Sequence, residues 1–164
     1  MIPFARRPDG IHLTLSAGER AVLASLVEQL EQILLGDAAA DPVAVRMFPS
    51  AYPDDDEAAA EFRRYTFDDL RAAKIENARI VHDWLTGDED APLDRTDEQA
   101  WLRCLTDLRL TVADRLGIVD VDPYEQADLD PDHPDAQGLG LRDVYDWLGG
   151  VQEHLVMALE GRRD

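Results

Sequence analysis

Four times along this sequence, apolar residues recur with the period of an α-helix, and that recurrence limits the fold more than any other feature. Trp101, Cys104, Leu105, Leu108, Val112 and Leu116 follow the i, i+3, i+4, i+7 rule and predict the buried face of one helix ending near Gly117. A second helix is predicted over 17–35, with Val22, Leu23, Leu26, Val27, Leu30, Ile33 and Leu34 on one broad face. It opens at Ser16-Ala17-Gly18-Glu19, where Ser and Glu three apart can satisfy free amides, and it ends at Gly36-Asp37. A third runs from a cap at Thr66-Phe67-Asp68-Asp69 through Leu70, Ala73, Asn77, Ile80, Val81 and Trp84 to Leu85. The fourth, over 141–160, carries Leu141, Val144, Tyr145, Leu148, Val151, Leu155 and Leu159, with Gly149-Gly150 reading as a close crossing or a kink.

Shorter signals fill the gaps. Asp41-Pro42 opens a short helix through Met47, prolines at 49 and 53 break the next stretch, and Asp54-Asp55-Asp56-Glu57 suits the positive start of a helix to about Arg64. Thr96-Asp97-Glu98-Gln99 repeats the capping pattern before Trp101. Residues 11–15 alternate and fit one short strand, or an extended lead-in, with no evident partner strand. Residues 118–140, rich in aspartate, read as an acidic flexible loop with one helical turn near Pro123-Tyr124-Glu125. The expected fold class is all-α: a single-domain helical bundle over 1–164, with four long helices, one or two short ones, and short connections favouring antiparallel neighbours.

Charge narrows the function. Thirty-five acidic against 16 basic residues give a formal net charge of −19, a field that repels phosphate backbones and anionic headgroups. DNA is therefore expected only as an indirect or weak contact. No stretch approaches the roughly 20 apolar residues that span a bilayer, and no signal-peptide core precedes residue 10. With a single cysteine, Cys104, no intramolecular disulfide can form, and a reducing cytoplasm is the expected setting.

Catalytic and cofactor patterns are missing. Asp128-Leu129-Asp130-Pro131-Asp132 imitates the start of a calcium loop, but His133 stands where glycine is needed and Leu139 where glutamate is needed. The histidines, His12, His82, His133 and His154, are scattered and read as surface or boundary residues, with none paired one helical turn apart for a metal. Gly138-Leu139-Gly140 lacks the third glycine of a dinucleotide loop, and no serine nucleophile elbow occurs. No enzyme activity, metal or cofactor is expected. The basic candidates for a partner or anion contact are Arg63, Arg64, Arg71 and Lys74, the last two one turn apart on a helix. Ion pairing with the abundant carboxylates is their alternative role.

A set of motifs then brings a family into view. Met47-Phe48-Pro49-Ser50-Ala51-Tyr52-Pro53-Asp54-Asp55, Glu61-Phe62-Arg63-Arg64-Tyr65-Thr66 and Asp69-Leu70-Arg71 resemble an actinobacterial family of oxidative-stress transcriptional regulators, the AosR family. Trp101-Leu102-Arg103, Asp107-Leu108-Arg109-Leu110, Arg115-Leu116-Gly117 and Tyr145-Asp146-Trp147-Leu148 with Gln152-Glu153 agree, so the resemblance covers about 11–160. It implies a transcription regulator linked to an alternative sigma factor and to a redox-sensing cysteine pair, encoded near an adaptor of the Clp protease. Here Cys104 is the one redox candidate, so a pair within the chain is impossible. The leading expectation is a regulator acting through protein partners, a sigma factor or RNA polymerase subunit. An accessory to Clp proteolysis and an enzyme with an unfamiliar site are the alternatives.

Overall fold

In the computed structural model, which describes residues 2–36, 56–116 and 138–161, the chain opens with a hairpin where the sequence suggests at most one strand. β1 (Phe4–Arg7) and β2 (Gly10–Leu13) pair antiparallel, Phe4 opposite Leu13 and Arg7 opposite Gly10. Pro8-Asp9 forms the two-residue connection, with the proline ring fixing φ at the bend. Alternation misses β1 because only Phe4 and Pro3 at its start are buried, while Arg6 and Arg7 stay exposed.

The linker over 87–94 packs across this hairpin, and the Leu93 N–H donates to the Ile11 carbonyl at 2.8 Å. Gly10, at φ +146°, lies so close to Pro92 that a Cβ there would sit 2.7 Å from the proline Cβ. Both the backbone angle and the rigid neighbour select glycine. Gly10→Ala should lower stability by about 1–3 kcal/mol, read as a lower urea midpoint with unchanged slope; an unshifted midpoint would show that the linker yields freely.

Four helices follow among the described residues. α1 (Ala17–Leu35) has the expected bounds, with the Ser16 hydroxyl accepting the Glu19 N–H at 3.2 Å and the Glu19 carboxylate accepting the Ser16 N–H at 3.4 Å. Leu23, Val27, Leu30 and Leu34 are buried, but Val22, expected on the same face, is 46% exposed. Gly36 ends the helix in an extended conformation, φ −77°, so no left-handed cap forms.

α2 (Asp56–Thr86) is one continuous helix of 31 residues, which merges the two helices expected over 54–64 and 66–85. The Thr66-Phe67-Asp68-Asp69 segment therefore lies inside the helix. No proline or glycine interrupts it, and Asp68 and Asp69 are tolerated because they are exposed. The buried stripe is also rotated from the expected one: Ala78, Val81 and Leu85 are buried, whereas Leu70 is 42% exposed.

α3 (Arg95–Leu116) starts one residue after Asp94, which is its cap in place of Thr96. Asp94 accepts the Asp97 N–H at 2.8 Å and the Asp97 carboxylate accepts the Asp94 N–H at 3.0 Å. α4 (Gly138–Glu160) begins three residues before the expected position and runs through Gly149-Gly150 without a break. A Cβ on Gly149 would only touch the Arg109 guanidinium at 3.6 Å, and one on Gly150 would meet nothing, so no tight crossing requires them. The short helix from Asp41 to Met47, the turn at 48–53 and the acidic loop up to residue 137 lie outside the described residues.

α1 packs on α2, α2 on α3 and α3 on α4, while β1 rests on α4. Leu23, Leu30, Leu34, Leu105, Leu148 and Leu155 fill the core around Trp101, whose ring meets Phe4 edge-on at 5.3 Å between centroids. The all-α class therefore holds, with a small sheet added. No helix among the described residues is long and apolar enough to cross a membrane.

Helix ends explain where several arginines go. The last turns of α1, α2 and α4 carry no basic residue of their own, so their terminal carbonyls lack a local cation. Arg71 of α2 donates to the Leu34 and Gly36 carbonyls at the end of α1, and Arg20 of α1 donates to the Trp84 carbonyl at the end of α2. Arg6 of β1 does the same for α4 through the Ala158 carbonyl at 2.7 Å. The reciprocal pair Arg20 and Arg71 makes α1 and α2 antiparallel neighbours.

Candidate functional site

The basic residues singled out in the sequence do not gather into one anion site among the described side chains. Arg71 reaches the end of α1, whereas Lys74, one turn on, donates to Asp107 of α3 at 2.8 Å. Arg63 and Arg64 lie on α2, and their side chains are outside the described ones. Arg79 pairs with Glu31 at 3.2 Å, and Arg109 donates to Gln152 while lying 5.1 Å over the Tyr145 ring.

Lys74 and Asp107 form an ion pair almost out of solvent, with the aspartate side chain 3% exposed. One Asp107 oxygen takes Lys74, and the other, Oδ2, is buried without a hydrogen-bond partner. Burial pushes the Asp107 carboxyl above the usual carboxylate range, and the lysine offsets only part of that. Cys104 stands one turn before Asp107 and is 1% exposed. Its thiol is driven far above the ordinary range, chiefly by burial and further by the Asp107 charge, with Lys74 opposing.

A thiol so placed is a poor nucleophile and a poor target for peroxide. Native protein should react with a disulfide reagent at least about a hundredfold slower than urea-unfolded protein, since labelling must await local opening. Stopped-flow thiol titration reads both rates, and equal rates would mean that Cys104 is accessible in the folded chain.

His12 is the polar residue that sequence reasoning misplaced most. It is 3% exposed, inside the hairpin, with Nε2 2.9 Å from Asp9 Oδ1 and Nδ1 3.3 Å from Asp90 Oδ1. Arg7 lies 3.3 Å from the same Asp90 oxygen. Its hydrogen bond with His12 holds the Asp9 carboxyl below its ordinary value. The expectation of a boundary residue fails because the linker carrying Asp90 folds over the strand. His82 pairs with Glu28 at 3.0 Å and His154 bonds the Gly150 carbonyl of its own helix. No group of three or more His, Cys, Asp or Glu among the described residues could hold a metal ion.

A polar recess with open access lies at the C-terminal end of α2. There the chain turns at Gly87 and an open cleft of about 550 Å³ forms between α2, the linker and the start of α3. Half-buried Ile80 and Trp84 line it together with Asp83, Asp88, Glu89 and Asp97. A second open groove, about 660 Å³, runs on the other side of the linker past Arg7, Leu15 and Arg20. Neither recess contains the nucleophile, base and orienting partner that acyl transfer would need.

The chain belongs to the family described as a domain of unknown function, DUF2017, whose model matches residues 1–159. No curated protein and no solved structure matches it.

Proposed function

We propose that this DUF2017 member is a non-enzymatic regulatory protein that works by binding other proteins, with a sigma factor or another RNA polymerase component as its partner. The observation that carries the reading is the employment of its cations. Arg6, Arg20 and Arg71 are held at helix ends and Lys74 and Arg79 by carboxylates, so these five cations are engaged within the fold, and the chain as a whole carries a net charge of −19. A chain arranged this way repels nucleic acid and attracts basic protein surfaces. The resemblance to oxidative-stress regulators supplies the class of partner. Deep burial of Cys104 favours regulation by contact over thiol sensing.

Affinity capture from an actinobacterial lysate, under oxidising and under reducing conditions, tests this. Polymerase components are expected in both, because the thiol is not the switch. Clp subunits alone would transfer the protein to proteolysis, and recovery only under oxidation would return Cys104 to the mechanism. In a companion titration the purified chain should show no tight duplex binding at physiological salt, and sub-micromolar, salt-sensitive binding would overturn the reading.

A further inference from the structure

We propose that the cleft between the end of α2 and the start of α3 docks an arginine-bearing, apolar-flanked segment of a partner protein. The inference rests on the protein-binding reading above and adds the contact face and the chemistry of what it takes. Ile80 and Trp84 leave apolar surface partly uncovered in a recess of about 550 Å³, and an indole offers a large, rigid contact area. Around them stand Asp83, Asp88, Glu89 and Asp97.

Some carboxylates of this fold meet cations, Glu31 with Arg79, Asp107 with Lys74 and Asp90 with Arg7, whereas others, such as Asp68 and Asp69, stand exposed. No ion pair among the described residues reaches these four. Asp97 accepts the Asp94 amide in its cap, which leaves its charge in place. The carbonyl end of α2 lies in the same region, where Arg20 engages the Trp84 carbonyl and offsets its partial negative charge, so the four carboxylates supply the field.

Arginine fits this combination better than lysine. Its planar guanidinium can stack on an indole while its fork bonds a carboxylate edge-on, whereas an ammonium is a strongly hydrated point charge. Neighbouring aliphatic residues of the segment would cover Ile80. The fit is to a folded or extended peptide chain, since the negative field excludes phosphate-bearing ligands.

Calorimetric titration of the full chain with a synthetic amphipathic peptide of arginines and leucines provides the test, beside its lysine and glutamate counterparts. Net charge alone would attract any cationic peptide, so the comparison is between two variants of equal charge. Asp83→Asn with Glu89→Gln should weaken the arginine peptide by about tenfold or more, a loss typical of removing charged contacts at an interface. Asp68→Asn with Asp69→Asn, exposed on the same helix about 20 Å away at 1.5 Å per residue, should weaken it less than about twofold.

Equal losses in the two variants, or no binding by the native chain, would overturn the proposal, and equal affinity for the lysine peptide would overturn its choice of arginine. Capture experiments separate the two readings. If the Asp83→Asn, Glu89→Gln chain still recovers polymerase components as well as the native chain, the cleft is refuted and the regulatory reading survives. If the peptide result holds but no polymerase component is recovered, the cleft stands and the regulatory reading falls.

Discussion

Replacing Lys74 by methionine is expected to lower the unfolding free energy by about 3–5 kcal/mol, because it leaves Asp107 charged and unpaired in the core. Asp107 is 2% exposed, and its Oδ2 already has no hydrogen-bond partner, so nothing beyond the lysine compensates its charge. The pH dependence fixes the cause. Burial raises the Asp107 pKa in the folded chain above the unfolded value of 3.8. The folded state therefore binds the proton more tightly, and this group's contribution to stability is best below 3.8 and worsens as pH rises through the folded value. Removing Lys74 takes away the influence that lowers that pKa, so the window widens upward. The loss in Lys74→Met should accordingly be largest near neutral pH and shrink in acid, as the carboxyl protonates. A second change, Asp107→Leu, should restore much of the stability at neutral pH, since an apolar pair of similar volume removes the desolvation cost. Denaturant titrations of the two variants at neutral and at acid pH supply the readout. A Lys74→Met penalty independent of pH would mean that lost packing of the lysine stem, not the stranded carboxylate, is responsible.

Helices were legible here wherever a cap and an apolar stripe agreed. Ser16 with Glu19 ahead of Leu23 and Val27 located α1 to the residue, because both signals are local and point to the same start. The same logic misled at Thr66-Phe67-Asp68-Asp69, since a capping pattern is equally compatible with exposed residues inside a longer helix. At α3 two overlapping patterns competed, Asp94 with Asp97 and Thr96 with Gln99, and spacing alone does not rank them. The stripe on α2 was displaced because Leu70 and Trp84 flank the buried line through Ala78 and Val81 and share its period.

What gathers around the cleft was harder to see. Asp83 belongs to α2, Asp88 and Glu89 to the linker and Asp97 to α3, so no short motif contains them. The burial of His12 escapes the sequence because Asp9 meets it only once the hairpin forms and Asp90, 78 residues away, only through the fold of the linker. The arginines at helix ends leave no sequence signature at all. Their acceptors are backbone carbonyls, which every residue has, and only the antiparallel arrangement decides which arginine meets which end.

Trp101→Ala should cost about 3–5 kcal/mol and loosen the hairpin as well as the helices. The ring is fully buried, at 0% exposure, and it is where β1 meets α3 through the edge-on contact with Phe4. Its Nε1 is buried without a hydrogen-bond partner, which sets two opposing effects in the milder variant Trp101→Phe. That change removes part of the apolar contact but also a stranded donor, whose burial costs about 1–3 kcal/mol. Trp101→Phe should therefore lose less than about 1.5 kcal/mol, well below the alanine variant. The contact with Phe4 adds a coupling of about 0.5–1.5 kcal/mol beyond area, measurable in a double-mutant cycle of Trp101→Ala with Phe4→Ala. Urea titrations of the variants give all three values. If Trp101→Phe costs as much as Trp101→Ala, the indole N–H is held by a partner in solution and the donor is not stranded. If the cycle is additive, the hairpin is fixed instead by the Leu93–Ile11 bond and by Arg6 at the end of α4.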